Sequence, residues 1–293
     1  MGQWSGASPP SPIPVQVRRL IEMALEEDLG SGDPTTEALI LDQDRGRAEA
    51  VARATGVLAG TWVFAAVFTT VDPRLHVELL RPEGSNILPG EAVAAVIGSL
   101  ASILKAERVA LNFLQRLSGI ATETARYVAA TAGLPVRIVD TRKTVPGMRW
   151  LDKYAVRMGG GFNHRLDLSD GVLVKDNHLA VVRARGETFE AMMVRLRKRS
   201  GHLLKTQVEV QSLEEATEAL MAGADALLLD HMALDEMQEV VRRYKGRALI
   251  EASGGITLDN VRSVAETGVD LISVGALTHS SRALDISLEV KPS

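Results

Sequence analysis

The chain has 293 residues, 46% apolar and 24% charged, enough for one large or two ordinary domains with a real core. Aromatic residues are only 4%, so that core must be mostly aliphatic, and a net charge of −4 leaves no global basic field for nucleic acid or an anionic membrane surface. The chain has no cysteine, which excludes disulfides, thiolate metal sites and cysteine nucleophiles and agrees with a cytoplasmic setting.

Residues 1–14 read as a disordered tail. The tail lacks the apolar stretch of a secretory signal, and Gly6 stands where a myristoylation pattern needs Ser or Thr. No apolar run is long enough to span a bilayer. Val17, Leu20, Ile21, Ala24 and Leu25 recur at helical spacing, predicting a helix from Val15 that stops at Gly30. Asp28–Thr36 reads as a turn-rich segment broken by Gly and Asp-Pro. Short strands at Ala48–Ala54, Leu75–Leu80 and Ala92–Ile97 surround a helix over Thr61–Thr69. Residues 100–132 form helix strongly, and Gly119 suggests a break into two helices.

After Gly133, aliphatic runs alternate with amphipathic helices. The runs are Val136–Val139, Gly171–Val174, Val208–Val210, Ala226–Leu229, Ala248–Ile250 and Leu271–Val274. Helices are predicted over Glu187–Arg199, Leu213–Ala222, Leu234–Tyr244 and Leu258–Thr267. This alternation implies parallel strands joined by crossover helices. Asp140, Lys175, Glu209, Asp230, Glu251 with Ser253, and Gly275 all sit at strand C-terminal ends. Both a β/α barrel and a doubly wound sheet collect such residues at one place. The close repetition of units, with no Gly-x-Gly-x-x-Gly after a strand, favours the barrel.

Three segments concentrate positive charge. Asp140-Thr-Arg-Lys-Thr-Val-Pro-Gly carries Arg142 and Lys143, Gly159-Gly-Gly-Phe-Asn-His-Arg carries His164 and Arg165, and Val174-Lys-Asp-Asn-His carries Lys175. Most single Lys and Arg residues are solvated loop charges. Adjacent pairs at strand ends on a net acidic chain point instead to a multiply charged anion, because guanidinium pairs with carboxylate or phosphate in two-pronged fashion. His164 lacks the companion histidine spacing of a metal site. Glu209 and Asp230 would form either a salt-bridge network or a pair of ligands for Mg²⁺ on a diphosphate. The Glu251-Ala-Ser-Gly-Gly-Ile and Ser273-Val-Gly-Ala-Leu loops suit a phosphate held by backbone N–H groups, or tight turns.

These motifs strongly resemble the quinolinate phosphoribosyltransferase family, as do Glu27-Asp-Leu-Gly-Ser-Gly-Asp, Leu104-Lys-Ala-Glu-Arg-Val-Ala-Leu-Asn and Gly268-Val-Asp-Leu-Ile-Ser-Val-Gly-Ala-Leu-Thr-His. The likeness runs from about Val15 to the C-terminus. It implies an α/β fold: an N-terminal α/β sandwich domain over 15–115, rejoined by 281–293, and an open, incomplete α/β barrel over 116–280. It further implies transfer of phosphoribosyl from phosphoribosyl diphosphate to quinolinate with decarboxylation, Mg²⁺ as cofactor, and a homodimer in which Arg108 reaches the partner's site. Arg142, His164 and Arg165 match quinolinate-binding positions, and Lys143 and Lys175 match lysines near both substrates. Glu209 and Asp230 match the acidic pair by ribose and Mg²⁺, and Ser253, Gly254, Gly255 and Gly275 match a 5-phosphate cradle. The family often has Asp-Asn where this chain has Asp230-His231, and glutamates where it has Gln207 and Gln211. The central acids are kept, so tuning rather than loss of activity is expected. A transferase for a pyridine monocarboxylate and a non-catalytic anion-binding relative stand as alternatives.

Overall fold

The computed structural model describes residues 12–292; residues 1–11 of the expected tail lie outside them. Two compact units form. Of the described residues, the first gathers those up to Ala125, Thr144–Gly160 and the C-terminal segment from Leu277. Its first helix, α1 (Val15–Leu29), buries Val17, Ile21 and Leu25, one residue per turn, and ends at Gly30 with φ 48°. The expected turn after it contains a second helix, α2 (Pro34–Leu39). Asp33 caps this helix, its carboxylate accepting the Thr35 and Thr36 N–H groups at 3.1 Å, and Pro34 needs no N–H partner at a first helical position.

Strands β1 (Arg45–Ala52), β3 (His76–Leu79) and β5 (Ala92–Ser99) make an antiparallel sheet with the last strand of the chain, β12 (Ile286–Pro292), in the order β12-β1-β5-β3. The short β2 (Gly56–Val57) and β4 (Asn86–Ile87) pair separately. Helix α3 (Thr61–Val71) buries Trp62, Val63, Phe64, Val67 and Phe68.

Helix α4 (Leu100–Ala130) is a single helix of 31 residues, without the expected break. A Cβ at Gly119 would lie 2.0 Å from the Arg282 carbonyl oxygen, so this glycine admits a passing backbone rather than ending the helix. Glycine costs a helix only about 1 kcal/mol. Each buried aliphatic side chain, such as Ile103, Leu114, Leu117 and Ile120 here, returns about 1.5–3 kcal/mol. Helix α5 (Arg149–Met158), not foreseen from the sequence, belongs to the same unit. Its Asp152 is fully buried and accepts from Arg116 Nε and Nη2 at 3.0 and 2.9 Å.

The second unit holds Arg126–Lys143 and Gly161–Ala276. It contains β6 (Arg137–Val139), β7 (Val172–Val174), α6 (Asp176–Ala184), α7 (Phe189–Arg199), β8 (Thr206–Val210), α8 (Leu213–Met221), β9 (Ala226–Asp230), α9 (Leu234–Tyr244), β10 (Leu249–Ser253), α10 (Val261–Glu266) and β11 (Leu271–Ser273); the short α11 (Ala276–His279) follows. The six strands are parallel in the order β6-β11-β10-β9-β8-β7. That is chain order taken cyclically, with no reversal of the kind that marks a doubly wound sheet. Among the described residues β6 and β7 do not pair, so the barrel is open. Phe162 lines the exposed edge of β6: its N–H donates to Ile138 O at 2.8 Å and its carbonyl accepts Asp140 N–H at 3.1 Å.

Curvature follows from one contact. In a flat sheet of this order β6 and β8 would lie roughly 19 Å apart, four spacings of about 4.8 Å. Yet His164, just beyond the β6 edge, has Nε2 3.2 Å from Gln207 Oε1 on β8. The strands must curl so that their inner faces oppose one another.

Candidate active site

The strand ends of the second unit carry three groups of polar side chains. The first centres on Asp140, whose carboxylate is fully buried directly after β6. It accepts the His164 N–H at 2.8 Å and Asn163 Nδ2 at 2.6 Å, which ties the glycine-led 160s loop to the end of β6. The His164 ring is largely buried, with 16% of its side chain exposed. Its Nδ1 accepts the Arg165 N–H at 2.7 Å, and its Nε2 lies 3.2 Å from Gln207 Oε1 and 3.4 Å from Glu251 Oε2. Gln207 Nε2 donates to the same Glu251 oxygen at 2.8 Å. Burial disfavours the imidazolium, but the Glu251 carboxylate outweighs it and raises the His164 pKa. For Glu251 burial pushes upward, and the hydrogen bond and charge of His164 win and lower it.

Arg142 and Arg165 complete this group. Arg165 Nη1 donates to the Gly171 carbonyl at 2.8 Å. The Nε atoms of both arginines are buried without a hydrogen-bond partner. Burial and then the nearby Arg142 charge pull the Arg165 pKa below its ordinary value, although a guanidinium remains charged at neutral pH. Two like charges with unspent buried donors are unfavourable in isolation and favourable around an anion. Lys143 is exposed on the same loop, in a turn closed by its N–H to Thr141 Oγ1 at 3.0 Å.

The second group is acidic. Glu209 on β8 and Asp230 at the end of β9 are half-buried, and Lys175 is exposed at the end of β7. The Glu209 pKa is raised, first by burial and then by the Asp230 charge, against the pull of Lys175. A half-buried carboxylate beside a second one suits a shared cation. Among the described residues no cluster of three or more acidic, His or Cys ligands occurs, so the pair alone is not a complete metal cage.

The third group is the loop after β10. Register places Ser253 beside Asp230. Gly254 and Gly255 have φ 86° and 63°, and among the described residues their N–H groups make no hydrogen bond. A Cβ at Gly254 would meet the His231 ring at 2.6 Å. His231, with φ 54° the non-glycine residue of positive φ among the described residues, takes a conformation that asparagine tolerates better. Gly275 follows β11, which pairs with β10.

The second unit thus brings together Arg142, His164 and Arg165 in one network, and Lys175, Glu209 and Asp230 in another. Arg108 is exposed on α4 of the first unit. Asp140, Gln207 and Glu251 form the framework of the arginine group without having been singled out as site residues. Their signal was an acid just inside a strand's end, and Gln207 and Glu209 on one face of β8 by strand alternation. A recess of about 620 Å³ among α7, α8 and α9, lined by Phe189, Leu213, Met221 and Arg243, contains none of these strand-end groups.

Residues 33–118 match the N-terminal domain of quinolinate phosphoribosyl transferase, and residues 120–289 match its C-terminal domain. The chain is 40% identical over 276 residues to a probable nicotinate-nucleotide pyrophosphorylase (carboxylating) of Bacillus subtilis, covering 94% of each. It is 43% identical over 273 residues to a Synechocystis protein of the same description, covering 92% of this chain and 91% of the other. Its fold superposes on the crystal structure of NadC from Streptococcus pyogenes with a TM-score of 0.91 at 38% identity, covering 97% of this chain and 100% of that one.

Proposed function

The chain belongs to the quinolinate phosphoribosyltransferase family, and on that basis we propose that it joins quinolinate to the phosphoribosyl group of phosphoribosyl diphosphate. The products are nicotinate mononucleotide, diphosphate and carbon dioxide, a step in making NAD. One observation of this chain supports the choice of a doubly carboxylated ring. Arg142 and Arg165 repel each other and keep buried Nε atoms unspent, an arrangement that a dianion stabilises and a monocarboxylate satisfies only by half.

Arg142 and Arg165 hold the two ring carboxylates, with Lys143 at the rim. The Gly254 and Gly255 N–H groups, with Ser253 and Gly275, hold the 5-phosphate. Glu209 and Asp230 face the ribose, and their negative charge favours the oxocarbenium character that develops at C1. They are also the residues that would hold Mg²⁺, since this ion takes one or two carboxylates and completes its shell from phosphate oxygens and water. When bound, Mg²⁺ supplies neutralisation of the diphosphate's charge. Lys175 is placed to do the same as a point charge.

The ring nitrogen attacks C1, and the C1–O bond to diphosphate breaks with its electron pair. The resulting pyridinium draws electrons, so the C2 carboxylate leaves as carbon dioxide and the ring carbon takes up a proton. Positioning and charge do the work, with no covalent bond to the enzyme. We assign Arg108 to the site of a second copy in a homodimer. Among the described residues no helix is long and apolar enough to cross a membrane, and we place the protein in the cytoplasm.

Carboxyl-labelled quinolinate, phosphoribosyl diphosphate and Mg²⁺ mixed with the protein should release labelled carbon dioxide and nicotinate mononucleotide. Turnover of nicotinate with none of quinolinate would favour the monocarboxylate alternative. Binding without turnover of either would favour the non-catalytic one.

A further inference from the structure

Both ring nitrogens of His164 are committed inside the protein. Because Nδ1 accepts the Arg165 N–H at 2.7 Å, the ring hydrogen of the neutral form sits on Nε2, which faces Gln207 Oε1 at 3.2 Å and Glu251 Oε2 at 3.4 Å. Gln207 has one amide orientation that satisfies both neighbours: Oε1 toward the imidazole N–H, and Nε2 donating to Glu251 at 2.8 Å. The Glu251 side chain is 1% exposed. A carboxylate so deeply buried costs several kcal/mol unless its partners are fixed. Here those partners run in a line, from Glu251 on β10 through Gln207 on β8 to the imidazole and so to the main chain of Arg165. Asp140 fixes the other side of the same residue by accepting the His164 N–H at 2.8 Å.

We infer that Glu251 is a positioning residue that sets the Arg165 guanidinium through Gln207 and His164. This rests on reading the Arg142–Arg165 group as the seat of a dicarboxylate. A carboxylate–amide–imidazole line of this kind locks the ring orientation, and a locked ring locks the peptide that starts Arg165. Gln207 links the acid and the ring without adding a second buried negative charge.

The test compares steady-state kinetics of the full chain with those of Glu251→Gln, His164→Asn and the double variant. Asparagine keeps an acceptor near the position of Nδ1 but cannot span to Gln207 and Glu251. Each single variant should raise KM for quinolinate about tenfold, the scale of one weakened charged contact. KM for phosphoribosyl diphosphate should stay within about twofold, and the double variant should be no worse than the worse single one. Effects that multiply would mean the two residues act independently, against the inference. Equal losses for both substrates, or a lowered melting temperature with unchanged KM values, would reduce Glu251 to a structural role. If Glu251→Gln does not fold, Gln207→Leu cuts the same line and must give the same quinolinate-selective rise in KM. Wild-type turnover with an indifferent Glu251→Gln sinks this inference alone. A wild-type protein inert toward quinolinate sinks the functional reading and this inference with it.

Discussion

Around Arg142 and Arg165 almost every neighbouring polar group is tied to another: Asp140 to Asn163 and His164, His164 to Arg165 and Gln207, Gln207 to Glu251. Around Glu209 and Asp230 there is little such bracing; Asp230 makes no side-chain hydrogen bond among the described residues, and Lys175 is exposed. The difference follows burial. Where water is excluded, most donors and acceptors find a protein partner and form a rigid frame, and those left over, the Nε atoms of Arg142 and Arg165 and Oε1 of Glu251, are exceptions. Where water reaches, carboxylates can stay loosely held. One side of the site is braced by the protein itself; on the other, the proposed cation and substrate would supply the order.

Removing charge from the braced side is the strongest way to break that contrast. Arg142→Ala or Arg165→Ala should lower kcat/KM for quinolinate by about two orders of magnitude or more, the cost of losing one partner of a buried charged contact. The circular dichroism should remain that of the folded protein; near-normal turnover in both variants would remove the proposed roles. Next comes the frame itself. Asp140→Ala leaves the His164 N–H without its acceptor in a buried place and should cost about 2–4 kcal/mol in urea unfolding. A change within error would show the loop is held elsewhere.

The open side should respond to pH with a particular sign. Glu209 has a raised pKa in the folded protein, from burial and then from Asp230. The folded state therefore binds more protons than the unfolded one just above the ordinary glutamate range. Without ligands, stability through this group is present below that range and lost as pH rises through the folded value. Melting of the wild type should thus lose stability relative to Glu209→Gln as pH rises from mildly acidic to neutral, and the opposite slope would refute the assignment. The smallest effect lies far from either group. Glu239 on α9 bridges Arg242 and Arg243, and these hydrogen bonds push its pKa down to about 2. The pair is partly exposed at the surface, where water and salt screen it, so Glu239→Gln should change the melting temperature little in physiological salt.

Much of the barrel was legible because its strands are continuous aliphatic runs. β9, Ala226–Asp230, has four buried aliphatic residues in succession, as a strand covered on both faces requires. Helices α2, α5 and α6 were not foreseen. Asp33-Pro34 signals a turn and a helix start equally well, and the choice is made by which N–H groups the Asp33 carboxylate meets. The expected break at Gly119 failed for a related reason: glycine reports a need for space or freedom without saying which, and the Arg282 backbone that needs the space is distant in sequence.

The amino-acid order by itself determined the alternation of strands and helices, the charged residues at strand ends and the family likeness, because each is local or a matter of residue identity. The curl of the sheet, the meeting of His164 with Gln207 and the pairing of Gln207 with Glu251 came only from tertiary structure. Residues so far apart along the chain meet only when several strands have packed, and burial then decides which polar groups must satisfy one another.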